Sequence, residues 1–183
     1  TKRKQKGIEL RVHPALVPKR RLVANVEGVM NAVVVKGDAV GTTLYHGRGA
    51  GAEPTASAVV ADLVDIVRLM NGERADPAVS TIAPEADDSF WLPMSETVSS
   101  YYMRIGVVDK PGVLADVARI FADNDISIET MVQKETAPGE DSTEIVILTH
   151  SAVEGNVQQA VKAIEALQTV HGSVVVLRKE ELC

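Results

Sequence analysis

One segment, MRIGVVDKPGVLADVARIFADNDISI at positions 103–128, constrains the fold of this chain more than any other. Its first residues alternate between apolar and other side chains, as in an extended strand, and Asp-Lys-Pro-Gly at 109–112 then interrupts that pattern with turn residues. The apolar positions that follow have helical spacing: Val113, Leu114, Val117, Ile120 and Phe121. Alternation resumes at Ile126. The segment therefore predicts a strand, a loop, a helix and a strand in immediate succession.

Gly112 stands at the start of the predicted helix. The first backbone N–H groups of a helix have no partner inside it, and the positive end of the helix dipole lies there. Such a position can receive a carboxylate, and a glycine lets a ligand approach the backbone closely. The pattern indicates a site for a small anion or an amino acid, although a Pro-Gly pair by itself also starts many ordinary helices.

The remaining C-terminal residues complete a small domain. Alternating stretches at 128–134 and 143–149 predict a hairpin, helical spacing follows from Val157 to Leu167, and a last strand is predicted at 173–177. The order βαββαβ is that of a ferredoxin-like domain, in which two helices cover one face of a four-stranded antiparallel sheet. Such a sheet leaves edges available to a second copy of the chain.

The loop Asp-Lys-Pro-Gly-Val-Leu, with its flanking strand and helix, resembles the signature of the ACT domain, a regulatory module of many amino-acid-metabolising enzymes. In that family this loop and the start of the second strand commonly line an effector pocket between paired domains. The resemblance implies that an amino-acid effector contacts Asp109, Gly112, Val113, Leu114, Ile126 and Ser127.

The N-terminal residues predict a short strand at 8–12, a buried strand at 29–36 with a hairpin partner at 39–46, and a long amphipathic helix that Pro54 opens. A run of three glycines, GRGAG at 47–51, precedes that helix. Main-chain donors in such a run can bind phosphate. The run lacks the GxGxxG spacing of dinucleotide-binding folds, so a purely structural turn is the alternative.

A second resemblance covers most of the N-terminal half. The stretches ELRVHPALVP, ANVEGVMNAVVVKGDAVG and HGRGAGAEPTASAVVADLVDI resemble the end of the catalytic region of homoserine dehydrogenase, which an ACT domain follows in many bacterial members. The resemblance implies that the backbone at Gly51 approaches NAD or NADP, with Gly49, Ala50 and Thr55 as neighbours. It also implies interconversion of L-homoserine and L-aspartate 4-semialdehyde in threonine, methionine and isoleucine biosynthesis, with feedback by threonine.

The departure from that family is large. Its nucleotide-binding domain, acidic substrate-binding residues and catalytic lysine have no counterpart here, so we assign no catalytic residue and expect the isolated chain to be inactive. The chain begins with Thr1 rather than Met, and we expect the natural protein to start upstream. The fold class expected is α+β. A partial α/β-type catalytic fragment (mixed sheet with helix) at 1–72 is followed by a linker at 73–100 and a ferredoxin-like ACT domain at 101–183.

Composition excludes several function classes. A net charge of −6 and 3% aromatic residues do not suit nucleic-acid binding. No apolar run has membrane-spanning length, and Cys183 as the sole cysteine fits a reducing cytoplasm. The four histidines lack metal-ligand spacing, so we expect no metal site.

Three functions stay open at this point. The first is a threonine-sensing part of a dehydrogenase that is at least dimeric through its ACT and catalytic-region sheets. The second is an ACT unit that serves only in dimerisation. The third is a stand-alone amino-acid-sensing regulatory protein.

Overall fold

The computed structural model describes residues 1–71, 91–133 and 141–181. The chain divides into two compact units. The sheet unit comprises Thr1–Val17 and Asp88–Glu181, and the hairpin unit comprises Pro18–Asp87 and Leu182–Cys183. The first 17 residues thus group with the C-terminal part of the chain, whereas the predicted domain boundaries group them with residues 18–72.

In chain order the described elements are β1 (Lys2–Lys4), β2 (Gly7–Glu9), β3 (Ala15–Leu16), β4 (Met30–Gly37), β5 (Gly41–Arg48), α1 (Ala52–Met70), β6 (Val98–Val108), α2 (Val113–Asp123), β7 (Ile128–Gln133), β8 (Ser142–Thr149), β9 (Ala152–Val153), α3 (Glu154–Glu165) and β10 (Val170–Lys179). All except β4, β5 and α1 belong to the sheet unit. A 3-10 turn, Met94–Glu96, precedes β6. Strand β6 therefore begins inside the segment predicted as a linker.

The strand order of the main sheet is β3-β10-β6-β8-β7, and β9 pairs with the start of β6. Strands β10, β6, β8 and β7 are antiparallel neighbours, which confirms the ferredoxin-like arrangement. Strand β3 adds a parallel pair at the edge of β10, which was not predicted. The pairing of β10 with β6 shifts register between His171 and Val175, where Gly172 has a φ of +70°.

The core lies between the sheet and its two helices, because alternate residues of the strands and one stripe of each helix face each other. Every second residue of β6 from Tyr101 to Val107 is buried, as are Val117 and Phe121 of α2. The central residues from the other elements are Ile145, Ile147, Val157, Ala160 and Ile164. The alternation and helical spacing of the sequence placed this core correctly.

The described part of the hairpin unit, residues 18–71, contains an antiparallel pair, β4 (Met30–Gly37) and β5 (Gly41–Arg48), a 3-10 turn (Leu22–Asn25) and helix α1 (Ala52–Met70). The prediction that the first hairpin strand is buried was wrong, because no described residue of this unit is buried and Val33 is 60% exposed. The two strands and one helix that the structure describes here enclose too little volume for a closed core. The predicted hairpin and the helix are both present.

The first 17 residues form a short hairpin, β1 with β2, and then an irregular stretch. The predicted strand at 8–12 ends at Glu9. Trp91 forms an isolated bridge with Ile8, and the amide of Leu92 donates to the carbonyl of Ile8 at 2.9 Å. Residues 73–90 of the predicted linker, residues 137–140 of the predicted hairpin loop and Cys183 lie outside the described residues. None of the helices in the described ranges is long and apolar enough to cross a membrane.

Candidate functional site

A cavity of about 310 Å³ opens beside the loop that joins β6 to α2. Its wall combines the end of one strand, the whole of that loop, the start of the helix and one residue from each of the next two strands. The lining residues are Val107, Val108, Asp109, Lys110, Pro111, Gly112, Val113, Leu114, Gln133 and Ile145. Most of the cavity wall therefore comes from the segment 103–128, in which the sequence predicted a ligand site at Gly112.

Backbone hydrogen bonds hold the loop on both sides. The amide of Val108 donates to the carbonyl of Thr169 at 2.8 Å, and the amide of Asp109 donates to the carbonyl of Asp141 at 2.9 Å. The amide of Asp116 then donates to the carbonyl of Gly112 at 3.0 Å and closes the first turn of α2. These bonds fix the loop at the mouth of the helix, where N–H groups of the first turn point outward.

Gly112 has φ +96° and ψ −24°, a left-handed backbone conformation that residues other than glycine adopt only with strain. A Cβ added at this position would meet no atom within 4 Å. The requirement for glycine therefore comes from the backbone conformation, and the position itself is open. A larger side chain would occupy free space beside the helix start.

The polar side chains of the cavity come from different elements. The amide Nε2 of Gln133, the last residue of β7, donates to Oδ1 of Asp109 at 3.2 Å. Gln133 also lies opposite Ile145 in the pairing of β7 with β8. Gln133 and Ile145 were not predicted as site residues, and the pairing of the two predicted hairpin strands is the signal that could have found them.

Two residues that the resemblance implied lie elsewhere. Ile126 is 4% exposed and belongs to the hydrophobic core, and its amide donates to the carbonyl of Phe121 at 2.9 Å. Ser127 is exposed, and its carbonyl accepts a hydrogen bond from the amide of His150. Neither residue lines the cavity, whereas Asp109, Gly112, Val113 and Leu114 all do.

The chemistry of this wall suits a small zwitterion. The N-terminal turn of α2 offers backbone donors and a positive dipole to a carboxylate. Asp109 offers a carboxylate to an ammonium group, and Val107, Val113 and Ile145 supply an apolar surface. Within residues 1–71, 91–133 and 141–181, no group of three or more His, Cys, Asp or Glu side chains could hold a metal ion.

The glycine run before α1 forms a turn at the start of that helix. Gly51 is the N-cap with φ +126°, and the amide of Thr55 donates to its carbonyl at 3.2 Å. A Cβ at Gly49 would overlap the side-chain amide of Asn31, so packing explains that glycine. Gly49, Ala50, Gly51 and Thr55 are all exposed and adjoin the helix start, where main-chain groups are the available donors. Their contact with a cofactor stays a prediction.

Comparison with known proteins adds independent information. Residues 2–64 match the family model "Homoserine dehydrogenase", and residues 101–168 match that of the ACT domain. The chain is 49% identical to homoserine dehydrogenase of Neisseria gonorrhoeae and 49% identical to that of Pseudomonas aeruginosa. These alignments cover 100% and 99% of this chain, and 42% of each relative.

A solved structure gives a similar result. The homoserine dehydrogenase of Thiobacillus denitrificans superposes with a TM-score of 0.82 at 50% identity, covering 99% of this chain and 41% of that one. The chain thus spans less than half the length of the relatives that it matches.

Proposed function

We propose, from the premise that residues 2–64 belong to the homoserine dehydrogenase family and residues 101–168 are an ACT domain, that the cavity beside Gly112 binds free L-threonine. This binding regulates a homoserine dehydrogenase. The observation that carries the proposal is the cavity itself. It joins an open helix N-terminus, a carboxylate and an aliphatic wall within one loop.

The bound amino acid has three anchoring points in this proposal. Its carboxylate accepts hydrogen bonds from N–H groups in the first turn of α2. Its ammonium group pairs with Asp109, and its side chain faces the apolar wall. Gln133 places an amide beside Asp109, where it can exchange that bond for one to the threonine hydroxyl. Ile126 and Ser127 then act through the position of β7 rather than by contact.

The activity of the whole protein follows from its family. It interconverts L-homoserine and L-aspartate 4-semialdehyde in the cytoplasm, in threonine, methionine and isoleucine biosynthesis, and NAD or NADP supplies the hydride chemistry. Four residues, Gly49, Ala50, Gly51 and Thr55, contact the cofactor in this proposal, and they do so only through main-chain groups. The isolated chain carries no residue that matches the family's catalytic positions, so it is inactive without the remaining part of the enzyme.

A homo-oligomer, at least a dimer, accompanies this function. Strand β7 is the last strand of the sheet path among the described residues, and Val132 on it is 52% exposed. An unpaired strand edge can pair with the same edge of a second copy around a two-fold axis. This edge also favours the second candidate function, an ACT unit that serves only in assembly.

Titration calorimetry separates the two functions. L-threonine should release or absorb heat with one site per chain, whereas D-threonine and L-methionine should not. Gly112→Leu should abolish the signal, while light scattering shows the same oligomeric state as the unmodified chain. A pure assembly module gives no heat with threonine or the other aspartate-family amino acids, and that result would overturn the sensor proposal.

A matched control uses Gly172, which also has a positive φ and open space around it but does not line the cavity. Gly172→Ala carries similar backbone strain. It should bind threonine normally. Loss of binding in this control would mean that general destabilisation, and not the cavity, explains the Gly112 variant.

A further inference from the structure

Within the N-terminal segment, residues 2–17, strand β3 pairs with the edge of β10 that faces away from β6. Ala15 pairs with Arg178 and Leu16 with Lys179 in parallel register. The amide of Glu180 donates to the carbonyl of Leu16 at 2.9 Å. This segment lies within the homoserine dehydrogenase match, whereas β10 lies in the same sheet as the ACT strands. The contact therefore joins the two family regions inside one compact unit.

An ion cluster with buried Glu9 and Arg11 side chains stabilises this contact. The Arg11 side chain is 4% exposed and pairs with Glu9 and with Glu180, at 3.3 Å to the latter. Arg11 also donates to the hydroxyl of Ser99 at 3.0 Å, and Lys2 pairs with Glu180 at 2.7 Å. Removing one member of a buried pair leaves an uncompensated charge, so this cluster has one favourable arrangement. In the docked arrangement Arg11 therefore has its charge paired and its hydrogen bond to Ser99 made.

Strand β10 reaches the cavity at its other end. Val170 pairs with the cavity residue Val107, and the carbonyl of Thr169 accepts the amide of Val108. Ten residues of strand, about 30 Å, connect that end to Lys179 beside Leu16. One strand therefore contacts both the loop of the cavity and the docked segment.

We propose that amino-acid binding in the cavity and docking of residues 2–17 on β10 are thermodynamically coupled, the bound ligand favouring the docked state. The inference rests on the proposed function, since it needs a ligand in the cavity. A ligand that fixes the loop after Val108 restrains the start of β10, and a restrained strand is a better partner for β3.

Reciprocity provides the test. If threonine strengthens docking by a given factor, loss of docking must weaken threonine binding by the same factor. Amide exchange of residues 10–17 in the full 183-residue chain should slow about fivefold or more at saturating threonine. In Arg11→Ala, exchange of the same residues should be fast, and the Kd for threonine should rise by that same factor.

Arg104→Ala is the matched control, because Arg104 makes an exposed ion pair with Glu144 away from the segment. It should leave both readouts unchanged. If circular dichroism shows that Arg11→Ala unfolds, Glu180→Gln weakens the same contact more mildly, and it should speed exchange of residues 10–17 and raise the Kd for threonine by less than the full coupling factor.

The outcomes distinguish the two proposals. Threonine binding without any change in exchange at residues 10–17 overturns the coupling and leaves the sensor intact. Unequal factors in the two readouts also overturn it. An absence of threonine binding to the unmodified chain removes the proposed function and the coupling together.

Discussion

The guanidinium of Arg178 holds the carboxylate of Glu154 with two hydrogen bonds, from Nε at 2.9 Å and from Nη2 at 2.6 Å. The hydroxyl of Tyr101 donates to the same carboxylate at 2.8 Å, and Gln158 donates at 3.2 Å. Three elements thus meet at one charge: β10, the first turn of α3 and β6. Burial raises the pKa of Glu154, but the bonds from Arg178, Tyr101 and Gln158 outweigh that effect and lower it.

Stability should depend on the charge of Glu154. A carboxyl whose pKa is lower in the folded state stabilises the protein above its unfolded pKa, and that contribution disappears as the pH falls through the folded pKa. Glu154→Gln should lower the free energy of unfolding at pH 7 by about 2 kcal/mol. Below about pH 4, the difference between variant and unmodified chain should shrink. Urea unfolding at pH 7 and pH 3 measures both values, and a difference independent of pH would contradict this role.

Tyr101→Phe should remove one donor to Glu154 and keep the ring in the core. Burial, and then the hydrogen bond and charge of Glu154, raise the pKa of Tyr101, as expected for a hydroxyl that must stay protonated to donate. We expect a loss of about 1–2 kcal/mol in thermal or urea unfolding. Tyr102→Phe, on the half-exposed opposite face, is the control and should change stability by less than about 0.5 kcal/mol.

Gly112→Ala should destabilise the chain by about 1–2 kcal/mol, because alanine is strained at positive φ. Gly172→Ala should cost a similar amount, since its φ is also positive and its surroundings are open. Only the first variant should weaken threonine binding, measured by calorimetry. Equal affinities in both variants would mean that the open space at Gly112 is not used by the ligand.

Gln133→Leu tests the role of the amide in ligand choice. Loss of one neutral hydrogen bond should weaken threonine binding about fivefold and should improve the relative affinity for valine, which has the same shape without the hydroxyl. Gln159→Leu, an exposed position on α3, is the matched control and should leave both affinities unchanged. A uniform loss for threonine and valine would assign Gln133 to loop stability instead.

The sequence predicted what depends on local pattern. Alternation in β6 and the apolar stripe of α2 defined a buried face before any partner was known, and the turn residues before Gly112 located the cavity. Contacts between distant segments were beyond such reasoning: Gln133 reaches Asp109 only because β7 pairs with β8, and nothing local marks Ala15–Leu16 as a neighbour of β10.

The hairpin strand at 30–37 shows that local sequence can also predict burial that the structure does not have. Its valines are typical of a buried strand, but burial requires a second layer that local sequence cannot supply. Exposed Val33 is the result. The local sequence predicts that a strand forms, whereas the burial of that strand depends on whether another layer of structure packs against it.

The two-residue strand β3 lies between Pro14 and Pro18, and proline lacks the N–H that a further strand would need. The β3 edge of the sheet is therefore unsuited to adding a further strand, whereas no described strand pairs with the outer side of β7. A sheet that can pair along one edge associates with one further copy of the chain and then has no edge left to pair. A sheet with two such edges could add copies without limit and form a fibre.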